Sequence, residues 1–224
     1  MNPEHPANSE APSRALTDYP RPSVAVDTAL LTVVDRALSV VLVQSGDRPA
    51  LPGTFLHEGE TLRDAVLRSL RVKCGILGLE PRQLHVFDTP TRDTRGWVLS
   101  VAHVDVVPAA SLSQDARLAH PTPVASARTL PLMYDHAEII DLAVDALRAE
   151  YADRPDPRAL LPEPFTLREL QTLHETIAEE RLPRDAFRRR MEPQLTDTGE
   201  LSRGTRGKPA RLFCRTPWQW PLAR

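Results

Sequence analysis

Cysteine is scarce in this sequence. Cys74 and Cys214 stand far apart, in no C-x-x-C spacing and without a neighbouring histidine pair, so neither a disulfide framework nor a zinc site is suggested. That usage suits a reducing compartment, and the expected location is the cytoplasm. Long apolar runs are missing too. The most apolar stretch, Ala25 to Val43, is cut by Asp27, Asp35 and Arg36, and no apolar segment follows a basic start, so neither a membrane span nor a secretory leader is expected. Met1 to Pro22 lacks the apolar content to order itself and sets Pro3, Pro6, Pro12, Pro20 and Pro22 among polar residues, which predicts a mobile tail. There is little net charge, with 28 Lys+Arg against 30 Asp+Glu, but the near balance conceals a segregation described below.

At 224 residues the chain can hold two modest domains, each with its own core. Two runs rich in Val, Leu and Thr, Ala25 to Val34 and Leu38 to Gln44, predict adjacent strands around an Asp35-Arg36 turn. Leu62, Ala65, Val66 and Leu70 follow helical spacing. Thr61 with Asp64 forms a capping box in front of them and Gly75 a C-terminal cap behind. Further strands are expected at Gln83 to Asp88 and Trp97 to Val107, and a second helix at His136 to Tyr151. The pattern is mixed α/β. Asp153 to Pro157, followed by Pro162 and Pro164, then predicts a stiff proline-rich connector and the domain boundary. The expected division is a tail at 1–22, a first domain at 23–152, a linker at 153–164 and a second domain at 165–224. In the second domain a capping box of Thr166 and Glu169 opens a helix reaching about Glu180. Pro183 opens a further helix that must stop before Pro193, and Thr196 to Gly199 and Gly204 to Pro209 are turn signals beside short strands.

The segment from Gly53 through Glu60 to Ile76 resembles the Nudix box, G-x5-E-x7-R-E-U-x-E-E-x-G-U. Glu60 falls on the first glutamate, Arg68 on the arginine, Leu70 on the aliphatic position, and Gly75 and Ile76 on the closing pair; Thr54 stands where the first glycine would be. In Nudix hydrolases the helix glutamates gather magnesium beside a pyrophosphate, because hard divalent ions take oxygen ligands. Ser69, Val72 and Lys73 replace them here, so metal-dependent hydrolysis is not expected. The packing positions survive while the chemistry is lost, as in a fold reused for binding. Glu60 can also serve simply as a carboxylate at a helix N-terminus. The loop Arg92-Asp93-Thr94-Arg95-Gly96 is either an anion-recognition element or a solvated hairpin loop.

From Arg181 to Arg215 ten basic residues face four acidic ones, a local +6 in a chain of net −2, leaving −8 elsewhere. Such segregation is a footprint for a polyanion. Phe187 and Met191 read as core positions of the short helix, with Arg184, Arg188 and Arg189 on its other faces. Gly204 to Arg211 supplies a basic hairpin suited to phosphate contact. A basic helical hairpin with a solvated face, or an RNA-binding tail, remains the alternative.

Together with Phe87 to Pro90, Ser100 to Ala102, Tyr134-Asp135-His136, Phe165-Thr166-Leu167 and Arg206 to Ala210, these segments make the chain similar to the Nudix-related transcriptional regulators, the NrtR-like regulators of NAD metabolism. The resemblance spans about residues 25 to 215. It implies an N-terminal Nudix α/β/α sandwich with a mixed sheet followed by a C-terminal winged helix-turn-helix domain. It further implies a homodimeric repressor on a palindromic double-stranded DNA operator, an effector such as ADP-ribose, and no catalytic residue, metal or cofactor. The effector candidates it assigns are Glu60, Arg68, Arg92, Asp93, Arg95, Asp135 and His136, although His136 can equally cap its own helix. Its DNA candidates are Arg184, Arg188, Arg189, Arg203, Arg206, Lys208 and Arg211. Related members respond to sugars instead, and an active Nudix pyrophosphohydrolase with a basic accessory domain is the competing reading.

Overall fold

The computed structural model describes residues 15–112, 119–202 and 209–216. Most of the expected tail (1–14) and the expected DNA contacts Arg203, Arg206 and Lys208 lie outside the described residues. A mixed sheet is built from β1 (Ser23–Val34), β2 (Ala37–Ser45), β3 (Arg48–Ala50), β4 (Gly53–Phe55), β5 (Arg82–Phe87), β6 (Val98–Val106) and β7 (Ala119–Pro123). Its order is β3-β2-β1-β6-β5, with β4 added to β1 and β7 to β2. β1 runs parallel to β6 and antiparallel to both β2 and β4. Its first half partners β4 and its second half β2, so the strand is split along one edge.

β1 is buried on both faces, which explains its almost continuous apolar run. Val26 and Leu30 face α1 (Leu62–Cys74), whereas Ala29 and Leu31 face α3 (His136–Tyr151); a four-residue α2 (Val124–Ala127) lies between these helices in sequence. α1 begins at the expected capping box, with Thr61 Oγ1 accepting from the Asp64 amide, and ends where Gly75 takes φ 68° and donates its N–H to the Arg71 carbonyl. α3 buries Ile139, Ile140, Ala143, Val144 and Leu147 in one stripe.

The C-terminal part contains β8 (Phe165–Thr166), α4 (Leu167–Ala178), α5 (Arg184–Met191), β9 (Leu195–Leu201) and β10 (Arg211–Arg215), with sheet order β8-β10-β9. Phe165, Leu170, Phe187, Met191 and Phe213 form its core. The same apolar stripe of α4 contributes Leu173 and Ile177 to the core around α3, so the two parts share apolar packing. No helix among the described residues is long and apolar enough to cross a membrane.

Three differences from the sequence-based expectations stand out. β3, β4, β7 and α2 are too short to carry a period. Thr196 to Gly199, expected as a turn, lies inside β9, where Gly199 at φ 75° accompanies a register irregularity opposite Arg211 and Phe213. The segment 153–164 is not an extended spacer either. It folds around Asp156, which is fully buried.

His174 of α4 is also buried, its ring meeting Tyr151 edge-on at 5.2 Å and Phe187 at 5.0 Å. Burial favours the neutral ring and pushes its pKa from 6.5 to about 4. Between those values the unfolded chain binds the proton and the folded one does not, so stability falls as pH drops through this window. The loss between pH 7 and pH 5 is about 2 kcal/mol from this group. Urea titrations of wild type and His174→Phe at both pH values should show a smaller decline in the variant; equal declines would remove His174 as the cause.

Candidate functional site

Asp27 is the centre of the first candidate site. It lies among apolar neighbours in β1, on the face turned towards α3, and its carboxylate is buried. A buried charge needs compensation from every side. Ser100 on β6 donates its hydroxyl to Oδ2 at 2.5 Å. The guanidinium of Arg92 lies 3.7 Å away, and His136 Nε2 faces Oδ1 at 3.3 Å. His136 Nδ1 accepts the Leu51 N–H at 2.9 Å, so the ring proton resides on Nε2, towards the carboxylate, although not aligned for a full hydrogen bond. Burial on its own raises the Asp27 pKa, but His136, Ser100 and Arg92 outweigh it and hold the group below its ordinary value. Gly53 completes the enclosure. A Cβ there would fall 2.0 Å from Asp27 Oδ1, so no other residue fits without displacing the carboxylate.

Arg92 is itself almost wholly enclosed and forks onto Asp135 with contacts of 2.8 and 2.5 Å. Asp135, at the N-cap of α3, makes no side-chain capping bond and is committed to Arg92. His136 does not cap its own helix either; its contacts run to Leu51 and Asp27. Arg95 is the opposite case. Asp93, buried at 4% exposure, grips it through Nε at 3.0 Å and Nη2 at 2.7 Å, yet its side chain is 61% exposed. Its guanidinium sits 5.4 Å from the Phe55 ring and 5.7 Å from that of Tyr134, both half-exposed. An oriented planar cation between two aromatic faces can donate to an anion while the rings accept a flat base.

The Nudix-like box is closed by its own side chains. Arg68 forks onto Glu60 at 2.7 and 2.8 Å and reaches Thr54 Oγ1 at 3.1 Å and the Phe55 carbonyl at 2.9 Å. The Arg68 hydrogen bond pulls the Glu60 pKa down to about 2. Lys73 donates to the Gly53 carbonyl at 2.5 Å, Ser69 is buried and Val72 is 69% exposed. This set does not fit a divalent cation: its one carboxylate is neutralised, and an ammonium and an isopropyl group stand where oxygen ligands are needed. Among the described residues no cluster of three His, Cys, Asp or Glu side chains could hold a metal ion.

The structure therefore gathers Arg92, Asp93, Arg95, Asp135 and His136 on one side of β4 and the Glu60–Arg68 pair on the other. Sequence reasoning missed Asp27, Ser100, Gly53, Phe55 and Tyr134. Asp27 carried a usable signal, since a carboxylate in the middle of an otherwise apolar strand demands partners.

A second candidate surface lies on α5 and β10. Phe187 and Met191 point inward as expected, and Arg184 and Arg189 are exposed. Arg188 Nε donates to Glu192 at 2.6 Å, and Arg211 reaches the same carboxylate as well as Asp197 at 2.9 Å. Glu192 thus bridges the helix to β10. Arg190 turns away from this surface and donates to the Ala152 carbonyl at 3.0 Å.

Residues 157–214 match the family model of the NrtR DNA-binding winged helix domain. The chain is 30% identical over 208 residues to the ADPR responsive transcriptional repressor NtrR of Acinetobacter baylyi, covering 88% of this chain and 83% of that protein. The chain belongs to the NrtR family. A crystal structure of Shewanella oneidensis NrtR complexed with a 27mer DNA superposes on this NrtR-family chain with a TM-score of 0.75 at 33% identity, over 87% of this chain and 94% of that one. The Nudix domain of the same protein, complexed with ADP ribose, matches with a TM-score of 0.52 at 28% identity over 60% and 94%. The ADP-ribose pyrophosphatase of Methanocaldococcus jannaschii is 32% identical over 130 residues, 54% of this chain and 73% of that enzyme. The expected fold, a mixed-sheet Nudix domain followed by a winged helix, is that of the family.

Arg92→Ala leaves Asp27 and Asp135 facing each other without their shared cation. Removing one member of such a buried pair costs about 3 to 5 kcal/mol, and thermal unfolding should record it. An unchanged midpoint would contradict a central structural role for Arg92.

Proposed function

We propose that this NrtR-family chain is an ADP-ribose-responsive transcriptional repressor of NAD-metabolism genes, acting as a two-fold dimer on a palindromic duplex and carrying no hydrolase activity. The observation that carries the reading is the contrast within the Nudix-like domain. The helix that would hold metal is filled by Arg68, Lys73 and Val72, while Arg95 remains open between Phe55 and Tyr134. A pyrophosphate meets the guanidinium of Arg95, and an adenine ring stacks on the neighbouring aromatic faces. Arg92, His136, Asp135 and Asp93 serve this site from behind by fixing its walls. Glu60 and Arg68 fix β4, which carries Phe55.

ADP-ribose should raise the unfolding temperature, because a ligand preferring the folded state stabilises it. Arg95→Ala should weaken calorimetric binding about 10- to 100-fold through loss of charged hydrogen bonds; because it also strips the buried Asp93 of its partner, the unfolding temperature is read beside the affinity. Pentoses without effect in the same screen separate this reading from a sugar-responsive one. Incubation with Mg²⁺ or Mn²⁺ should yield no AMP; turnover lost in Glu60→Gln would establish a working hydrolase instead.

On DNA, a single winged helix offers too little contact for selectivity, and a dimer reading two half-sites supplies the rest. In this reading Arg184 and Arg189, exposed on α5, make base or near-base contacts, and Arg188 and Arg211 bind phosphate once Glu192 yields them. Arg203, Arg206 and Lys208, outside the described residues, add positive charge to the same segment. Arg189→Ala should cost about 1 to 3 kcal/mol at one base step. Glu192→Gln should strengthen binding to scrambled duplex and steepen its salt dependence, since two arginines are released for phosphate. Gel shifts at several salt concentrations check both, and a flat response to Glu192→Gln would show that its ion pairs do not compete with DNA.

A further inference from the structure

The two candidate sites are joined by one helix. α3 begins at Asp135 and His136, which enclose Arg92 and Asp27, and ends at Tyr151, roughly 22 Å away at 1.5 Å per residue. At that far end Asp156 is fully buried and takes four hydrogen bonds. The Tyr151 hydroxyl donates at 2.7 Å, the amides of Leu160 and Leu161 at 2.8 and 2.9 Å, and Arg215 Nη1 at 2.6 Å. Arg215 lies at the end of β10 and also donates to the Leu161 carbonyl at 2.9 Å. One carboxylate therefore ties the last turn of α3, the connecting segment and the winged-helix sheet together.

Other contacts run the same way. Arg148 of α3 donates to the Ile177 carbonyl at 3.0 Å and to Glu179 at 2.7 Å, at the end of α4. Arg190, on the helix that carries Arg189, is held by the Ala152 carbonyl just past Tyr151. Leu173 and Ile177 pack into the core around α3. A flexible tether would leave the winged helix free to sample orientations; these bonds fix it to the C-terminal end of the helix whose N-terminal end builds the other site.

We infer that Asp156 is a positioning residue for the repressor's response: with Tyr151 and Arg215 it orients the winged helix on α3, so that effector binding at the Asp135–His136 end alters DNA affinity. This rests on the function proposed above. Neither Asp156 nor Tyr151 touches either ligand site, so substitution there should spare both binding reactions and remove the link between them. Coupling of this kind is reciprocal: DNA must change ADP-ribose affinity by the same factor that ADP-ribose changes DNA affinity.

The test uses the full chain and a duplex enriched from a random library by the wild-type protein. Four affinities are measured, for ADP-ribose with and without duplex and for duplex with and without ADP-ribose. Tyr151→Phe removes only the hydroxyl donated to Asp156, and Arg215→Met and Asp156→Asn remove the other parts of the junction. In Tyr151→Phe and Arg215→Met each ligand alone should bind within about threefold of wild type, while the coupling factor, read from either direction, falls at least fivefold. Asp156→Asn should lose it entirely; where that variant does not fold, Tyr151→Phe and Arg215→Met decide the matter. Full wild-type coupling in both Tyr151→Phe and Arg215→Met would overturn the inference. A wild-type protein that binds each ligand with no coupling would overturn it too, and one that fails to bind ADP-ribose would instead bring down the reading on which it rests.

Discussion

A carboxylate buried in the middle of a strand governs the N-terminal site. Asp27 cannot keep its charge beneath α3 unless donors converge on it, and the chain supplies what it needs from four separate places: Ser100, His136, Arg92 and the space vacated at Gly53. Each requirement fixes another element. Ser100 sets the approach of β6, Gly53 lets β4 lie against β1, and His136 sets the first turn of α3 with the Leu51 amide holding its tautomer. Arg92 then needs Asp135, which removes that side chain from helix capping. The exposed cluster of Arg95, Phe55 and Tyr134 rests on this buried network, because the same loop carries Arg92 and Arg95 and the same β4 carries Gly53 and Phe55.

In the Nudix-like box the side chains of α1 hold the sheet edge. In place of carboxylates that need a divalent ion, α1 presents Arg68 and Lys73, and both donate into β4: Arg68 to Thr54 and Phe55, Lys73 to Gly53. Positive charge is still brought to this edge of the sheet, now covalently attached and directed at backbone carbonyls. Glu60, the surviving acid, serves as the counter-charge that orients Arg68. Such a site is held in shape by its own side chains.

Much of this was legible in the sequence because it depends on local rules. Both capping boxes, the Gly75 cap, the long strands and the inward-facing Phe187 and Met191 follow from period, cap chemistry and burial within a single segment. The pairing of Arg92 with Asp135, of Lys73 with Gly53 and of Glu192 with Arg211 was not legible, because each depends on a fold that brings distant segments together. Charge counting is also blind to pairing. Arg188 and Arg211 belong to the basic segment, but both are held by carboxylates, whereas Arg189 of the same helix is exposed. Proline content misled in one place. It suggested a spacer at 153–164, but the segment has a buried Asp156 at its core and therefore a defined path.

That path bears on how a sensor domain can act on a DNA-binding domain at all. Two folded units on a loose linker respond to their ligands independently, since neither binding event changes the other unit's conformational free energy. Here one apolar stripe of α4 contributes to two cores, Leu170 packing with α5 and β10, and Leu173 and Ile177 with α3. A shift of α3 cannot be absorbed by the connecting segment while Asp156 holds both the helix end and β10, because each alternative leaves a buried carboxylate short of a donor. The cost of breaking that arrangement makes the orientation of the winged helix depend on the state of the helix beneath it. Sequence-level charge asymmetry marks a surface suited to a polyanion; the buried junction fixes how that surface is held on α3.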